Sequence, residues 1–521
     1  MKKQLFCVFY LCMLLMLLLG AFLFRGVPLF AQEQEIKTMN EFFGINIAVG
    51  SGDNPDDIPA FAGWVRDYAS WDWFEPQNNT YTFTDVTSHE MFDCIYPNMD
   101  HENFDALYTH LKELGIKTLM LLLNSPEWIS SNPDHLDYIG FAPSGDTDGS
   151  SPQDYKEAAE FYYQLAARYG SKKHDDSELL TPDKKSGLDL VSAIEVFNEA
   201  DGEASWGKHI TTEQYAAMLN AIYDGDEGRL GDGYGIKAAD PDLPVSITGL
   251  GKRLESLKKI TEACGRVAYD IINIHYYSFM TDPKRGWRIQ TRPEWGGLEE
   301  KMKEIVEWRD QNAPGVPIWM TELGWDTKPY NTEAVTEQEA ADYLIRGYLI
   351  VLGAGVDKCS WFYFRDIDDE RQGIYTSCGL FENRTKPNPD PPPQLIPKLT
   401  YWYFATMKTL LGEMVYVDNL SGQDDPTVYH YRFKSLDGSK ETSVLWYCPV
   451  YKKIFRTPPP ETIEYLFSLP SGVAGVRAVR PVGGSVEGEE VALAEEEEGR
   501  IKLTLSATPI FLEVSYPKPQ G

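Results

Sequence analysis

The groups in this sequence best suited to chemistry are two glutamates set at the ends of apolar runs. "VFNEAD", residues 196 to 201, leaves one such run through Asn198 and Glu199, and "MTELGW", residues 320 to 325, carries Glu322 among apolar neighbours. A carboxyl so placed is tunable, because burial favours its neutral form and nearby positive charge favours the ion. Two carboxyls facing one another with different tuning can break a glycosidic C–O bond. One protonates the departing oxygen while the other attacks the anomeric carbon or activates a water. Around them the chain offers Arg66, Asn124, His275 with Tyr277, and Trp361, each read at the end of its own apolar run. Taken singly, these residues have plainer readings. A Glu after a strand is commonly solvated or caps a helix, His275 reads as a satisfied core histidine, Arg66 as a structural ion-pair partner and Trp361 as packing. Asp201 and Glu203 read as a solvated turn. Their shared register at one end of successive runs is what favours a site.

Something must hold these ends together, and the chain shows eight runs that can: residues 43–50, 64–70, 117–124, 193–199, 244–251, 270–278, 317–325 and 358–366. Each is strand-like and is followed by a polar loop and a helical pattern. In residues 151–170 Ser151 can cap, Pro152 suits the first helical position, Phe161, Leu165 and Tyr169 share a face, and Gly170 can end the helix. Thr336 and Glu339 have capping-box spacing, and Phe104, Leu107, Tyr108, Leu111 and Leu114 recur at helical intervals. Strands apolar on both faces, alternating with helices, predict a parallel sheet, and eight units predict a closed (β/α)8 TIM barrel. No GxGxxG follows the first strand to support an open doubly wound sheet. In such barrels reacting groups sit at the C-terminal strand ends, which puts Glu199 and Glu322 across the mouth from one another.

After a helix at 398–412 the texture changes to period-two alternation with short turns, as in "TVYHYRF", "TSVLWYC", "GVRAVRPV" and "IKLTLSATPIFLEV". This predicts a C-terminal antiparallel β-sandwich domain at 413–521, following a barrel at 33–412. "EGEEVALAEEEEGR" reads as a solvated acidic hairpin. Residues 1–32 begin with two Lys, continue through an uncharged apolar run and reach Ala31. That is the plan of an export signal, long enough to serve also as a membrane anchor, and it implies a secreted or cell-envelope protein.

The formal charge of −31 argues against nucleic acid, whose phosphates are bound by Lys and Arg. Of the seven cysteines, Cys7 and Cys12 lie in the N-terminal segment. Cys94, Cys264, Cys359, Cys378 and Cys448 form no CxxC, and they read as buried free thiols, with Cys359 and Cys378 alone close enough in sequence for a local bridge. The histidines other than His275 make no HExxH or HxH pattern, so no metal is expected, and no GxSxG marks a serine esterase.

"VFNEAD", "IWMTELGWDT" (318–327), "NIHYYS" (273–278), "WVRDYASWDWFEP" (64–76) and "LLLNSPEW" (121–128) together resemble clan A retaining glycoside hydrolases, most nearly family 39 and its relatives, across residues 43 to 412. With the export signal read above, the resemblance implies a secreted retaining enzyme, without cofactor, that hydrolyses β-linked oligo- or polysaccharide. It also implies Glu199 as general acid/base and Glu322 as nucleophile. Asn198 would meet the sugar 2-hydroxyl, Arg66 and Tyr277 would orient and ionise Glu322, His275 would contact the acid/base side, and Trp361 would floor the neighbouring subsite. The chain departs from the pattern at strand three, where some clan members have His and this chain has Asn124; substrate identity is what that touches. Lys252, Arg253, Lys284, Arg285, Arg288 and Arg292, with Trp287 and Trp295, read either as a cationic wall for an anionic glycan or as ion-pair partners of surface acids. A non-catalytic carbohydrate-binding barrel and a transglycosylase are the competing readings.

Overall fold

The computed structural model describes residues 37–48, 53–88, 99–129, 143–145, 147–201, 210–251, 254–282, 286, 288–328, 334–367, 375–383, 395–449, 460–496 and 499–517. The N-terminal segment 1–32, Cys94, Glu203, Lys252, Arg253, Lys284, Arg285 and Trp287 lie outside them.

All eight apolar runs form strands: β1 (Phe43–Ile47), β2 (Trp64–Ser70), β3 (Lys117–Leu123), β4 (Ala193–Val196), β5 (Val245–Ser246), β6 (Ile272–Tyr276), β7 (Ile318–Leu323) and β8 (Lys358–Trp361). They pair in parallel in the order β5-β4-β3-β2-β1-β8-β7-β6. The bridges Ser246↔Ile271 and Leu250↔Ile274 join β5 to β6 and close the ring. The protein is therefore a TIM barrel. Each strand is buried on both faces, as in β3, where only Lys117 is exposed, and this is why the runs read as continuously apolar.

The barrel interior has two layers. Trp64, Leu119, Ala193 and Ile271, with Trp319 against them, fill the end where the strands begin. Above that plug the interior turns polar: Asn46, Arg66, Glu195, Asn273, His275, Thr321 and Ser360 are all buried. Asn46 ties three strands by donating from Nδ2 to the carbonyls of Thr321 (2.6 Å) and Trp361 (3.0 Å) and to Ser360 Oγ (3.0 Å). Buried polar groups persist only when hydrogen-bonded, so the layer is held as a network.

Helices α1 (Phe104–Glu113), α2 (Lys156–Tyr169), α3 (Thr212–Asp224), α4 (Leu254–Cys264), α5 (Leu298–Asn312), α6 (Glu337–Gly353) and α7 (Leu399–Leu411) surround the strands. The expected caps form. Ser151 and Asp154 make a capping box at the 3₁₀ turn leading into α2, Thr336 and Glu339 make one at α6, and Gly170 ends α2. The first crossover departs from expectation: among the described residues β1 leads to β2 through only a 3₁₀ helix, Pro55–Ala60, because Pro55 and Pro59 prevent a longer α-helix.

Beyond α7 lie β9 (Met414–Asn419), β10 (Val428–Ser435), β11 (Lys440–Tyr447), β12 (Ile463–Ser468), β13 (Gly475–Val482), β14 (Ser485–Val491), β15 (Ala494–Glu496), β16 (Arg500–Leu505) and β17 (Ile510–Ser515). They form an antiparallel sheet β9-β10-β11-β17-β13-β14 and a smaller one β12-β16-β15. Val428, Leu445, Phe467, Ile501, Leu503 and Leu512 pack between them as a sandwich core. The acidic stretch read as one hairpin is divided. Residues 485–491 pair with β13 in the large sheet, and 494–496 pair with β16 in the small one, so its two halves belong to opposite layers. Arg346 of α6 binds Glu294, whose Oε1 also accepts from Trp446 Nε1 (2.8 Å) of β11, tying barrel to sandwich. Cys264, Cys359, Cys378 and Cys448 are buried free thiols. No helix of the described residues is long and apolar enough to cross a membrane.

Candidate active site

Glu322 reaches the mouth through an irregularity in its own strand. Opposite β6 the register of β7 slips between Met320↔Ile274 and Glu322↔His275, which leaves Thr321 as an extra residue and re-aims Glu322 inward. The carboxyl is 6% exposed and nearly saturated with donors. Oε1 accepts from Arg66 Nη1 (2.7 Å) and Tyr68 Oη (2.9 Å), and Oε2 accepts from Tyr277 Oη (2.7 Å). Burial acts to raise its pKa, but the charges of His275 and Arg66 and the hydroxyl bonds from Tyr277 and Tyr68 outweigh burial. They hold the carboxyl below the usual Glu value.

Arg66 organises this side. It lies inside β2, not at its end as the sequence suggested, and is fully buried in the polar layer. Its Nε and Nη2 form a fork on Glu195 of β4 (2.7 and 2.8 Å), Nη1 also reaches Asn46 Oδ1 (3.1 Å), and Nη2 donates to Asn198 Oδ1 (2.8 Å). Glu195 therefore neutralises a charge that would be costly to bury alone, leaving Arg66 free to hold Glu322 and Asn198 in fixed places.

Glu199 follows β4 with a left-handed φ of 51°, and its side chain is 29% exposed. Oε1 accepts from His275 Nδ1 (2.8 Å). On the other side of the ring His275 Nε2 lies 3.0 Å from Thr321 Oγ1, and the Thr321 hydroxyl gives its one proton to Asn273 Oδ1 (2.5 Å). The His275 ring thus bridges Glu199, just after β4, and Thr321 of β7. Burial acts to lower its pKa, but the Glu322 charge and the bond to Glu199 raise it on balance. Gly249 is required beside this ring: a Cβ there would stand 2.0 Å from Nε2.

A Glu199 oxygen, a Glu322 oxygen and a His275 nitrogen all lie within 4.8 Å of one another. Three such groups could in principle grip a metal ion. Here the Glu322 oxygens already accept from three donors, and the Arg66 guanidinium at 2.7 Å would repel a cation, so the donor set fits an ionised carboxylate better than a metal ligand.

Asn124 stands just after β3, half-buried, with φ 42°. Trp361 is at the end of β8 but is fully buried, stacked on Trp325 with its Nε1 donating to the Cys378 carbonyl (2.7 Å). With its ring fully covered it presents no face to a ligand, which corrects the subsite floor that the resemblance implied. The partly exposed rings beside Tyr277 are Phe362 and Tyr375. Of the basic loop, Arg292 lies over Trp295, whose Nε1 donates to the Pro449 carbonyl, and Arg292 itself turns toward Cys448 in the seam with the sandwich. Sequence reasoning missed Glu195 and Tyr68. Both carried a signal: Glu195 is an acid inside a wholly buried strand, which demands a cation, and Tyr68 shares the strand face of Arg66 two positions on.

A (β/α)8 barrel with a C-terminal β-sandwich and an acid pair at the mouths of β4 and β7 is the class this architecture defines. The chain is similar over 92% of its length to a family 39 glycoside hydrolase from Bacteroides cellulosilyticus WH2, with a TM-score of 0.59 and 18% identity over 82% of that chain. Over the same share it is similar to a monomeric β-xylosidase from Caulobacter crescentus CB15, with a TM-score of 0.55 and 17% identity over 97% of that chain. An α-L-arabinofuranosidase from Thermotoga maritima, in its arabinose complex, matches with a TM-score of 0.57 and 12% identity, covering 92% of this chain and 98% of that one. At such identities the likeness shows the fold. No protein-family model and no curated protein matches the sequence.

Proposed function

We propose that this protein is a glycoside hydrolase that cleaves β-glycosidic bonds of an oligo- or polysaccharide with retention of configuration. The observation that carries the reading is the approach of Glu199 and Glu322 oxygens to within 4.8 Å. That spacing is on the scale of retaining pairs, about 5 to 5.5 Å, and short of the roughly 6.5 to 9.5 Å at which an inverting pair accommodates the attacking water on the far side of the sugar. Glu322, kept ionised, attacks the anomeric carbon as the C–O bond breaks, and Glu199 gives its proton to the leaving oxygen. Glu199 then takes a proton from water, whose oxygen displaces Glu322 from the anomeric carbon and restores both groups. Asn198, anchored through its oxygen by Arg66, offers its NH2 to a sugar hydroxyl. His275 orients Glu199, while Tyr68 and Tyr277 orient Glu322.

The apolar start at 1–32 supports export to the cell envelope or beyond. Preference for an acidic sugar is tested at Arg288, which among the described residues of the basic loop is exposed and acts electrostatically on Tyr375. Arg288→Ala should then weaken turnover of acidic oligosaccharides more than neutral ones, and equal losses would end that idea. The test of the main reading is the anomeric outcome. Proton NMR of a fresh digest across a panel of aryl β-glycosides should show the β-anomer first; first release of the α-anomer would contradict it.

A further inference from the structure

Tyr375 has a φ of 68°, a conformation that a bulky L-residue keeps only when its surroundings impose it. Asp326, fully buried just beyond β7, imposes it. Its Oδ2 accepts from the Tyr375 backbone N–H (2.8 Å) and Gln290 Nε2 (3.1 Å), and its Oδ1 accepts from the Ser377 N–H (3.0 Å) and hydroxyl (3.1 Å). Ser377 is tied back to the same strand end, since its Oγ accepts from the N–H groups of Thr327 and Lys328 (both 3.1 Å) and its carbonyl from Thr327 Oγ1 (3.0 Å) and Lys398 Nζ (2.9 Å). Residues 375–377 are thus strapped to the strand that carries Glu322. The strap lays the Tyr375 ring on that of Tyr277, with centroids 4.2 Å apart and planes at 44°. Tyr277 is the residue whose hydroxyl donates to Glu322 Oε2, and its other ring neighbour, Phe362, meets it edge-on at 6.2 Å.

We propose that Tyr375 is a positioning residue: its ring braces Tyr277 so that the Tyr277 hydroxyl stays on Glu322, and Asp326 is the tie that keeps the brace in place. The inference rests on the reading of Glu322 as nucleophile. The groups that face Glu322 are Arg66 and Tyr68 from β2, His275 from β6 and Tyr277 just after it, with Glu199 reached through His275. Removing the brace weakens one of the bonds that keep Glu322 ionised, so its titration moves up. Tyr375→Phe keeps the ring and should behave as the parent protein, because the hydroxyl is not what braces.

The experiment is a 13C-carboxyl titration of Glu-labelled protein, with the Glu322 resonance assigned by its loss in Glu322→Gln, run beside pH profiles of kcat/KM. In Tyr375→Ala the Glu322 titration and the acidic limb should both rise by about half a pH unit or more. The accompanying loss in kcat should be about ten-fold, with Tyr375→Phe near the parent in both readouts. Tyr375→Leu, which keeps apolar volume without the ring, guards against a misfolded alanine variant and should match it. If Tyr375→Ala and Tyr375→Leu lower the melting temperature but titrate as the parent does, Tyr375 is structural only and the proposal is overturned. The carboxyl titration needs no substrate, so a parent protein that cleaves no glycoside would defeat the hydrolase reading while still deciding the brace.

Discussion

The two sides of the cleft differ in how much structure is committed to each carboxyl. Glu322 is buried and receives three hydrogen bonds from Arg66, Tyr68 and Tyr277, and behind them stands a second acid, Glu195, that balances Arg66. Glu199 stands on a left-handed residue after its strand, partly open, with His275 as the partner on its inner side. The contrast matches the two jobs proposed for them. A nucleophile must be ionised and immobile, whereas an acid/base must exchange its proton with leaving group and water, which asks for access and one adjustable neighbour.

Breaking the rigid side should produce the largest effects. Glu322→Gln should lower kcat by about 10⁴-fold or more, since the covalent step has no substitute nucleophile. Arg66→Met should cost both function and fold, because it leaves Glu195 buried without its cation; a loss of about 3 to 5 kcal/mol in denaturant unfolding is expected. Recovery of stability in Arg66→Met combined with Glu195→Leu would show that the charge balance was at stake, and no recovery would assign the loss to packing.

Smaller changes sharpen the comparison. Tyr68→Phe removes one donor from Glu322 and should lower kcat by about 10- to 100-fold, with the acidic limb of the pH profile displaced upward, because the depressed pKa of Glu322 relaxes toward its usual value. On the open side, His275 has a folded pKa above its unfolded one. Its contribution to stability is present below the unfolded value, about 6.5, and is lost as pH rises through the folded value. The parent melting temperature should carry that decline and His275→Gln should lack it; an identical pH dependence in both proteins would remove His275 from the account. Glu322 runs the other way, contributing above its unfolded value and losing that contribution as pH falls through its depressed folded one.

How far the sequence could be read follows the same division between repeating and non-repeating constraints. The eight strands were legible because burial on both faces writes a continuous apolar run, and the helix caps were legible at Ser151 and Thr336 because capping is local. The acid pair was legible as register alone. Arg66 was placed too near the rim because an inward-facing residue within a strand and one at its end look alike when the strand's last residue is uncertain by two or three positions. For Trp361 the resemblance implies a subsite floor while packing is its plain reading, and nothing in "KCSWFYF" shows that Trp325 covers the ring. Glu195 was passed over because its partner is distant in sequence, and Tyr375 was invisible because Asp326, some fifty residues earlier, creates its position. The split of the acidic stretch between two sheets was hidden for the same reason, since pairing partners are a tertiary property.

The most direct test of the central claim is chemical rescue of the two acids with azide on an activated aryl β-glycoside that the parent protein cleaves. Glu199→Ala should regain turnover and release the β-glycosyl azide, because Glu322 still forms the glycosyl-enzyme and azide replaces water. Glu322→Ala should stay inactive or release the α-azide. The reverse pattern, or rescue of neither variant with parent activity intact in both, would contradict the assignment of Glu322 as the nucleophile and Glu199 as the acid/base.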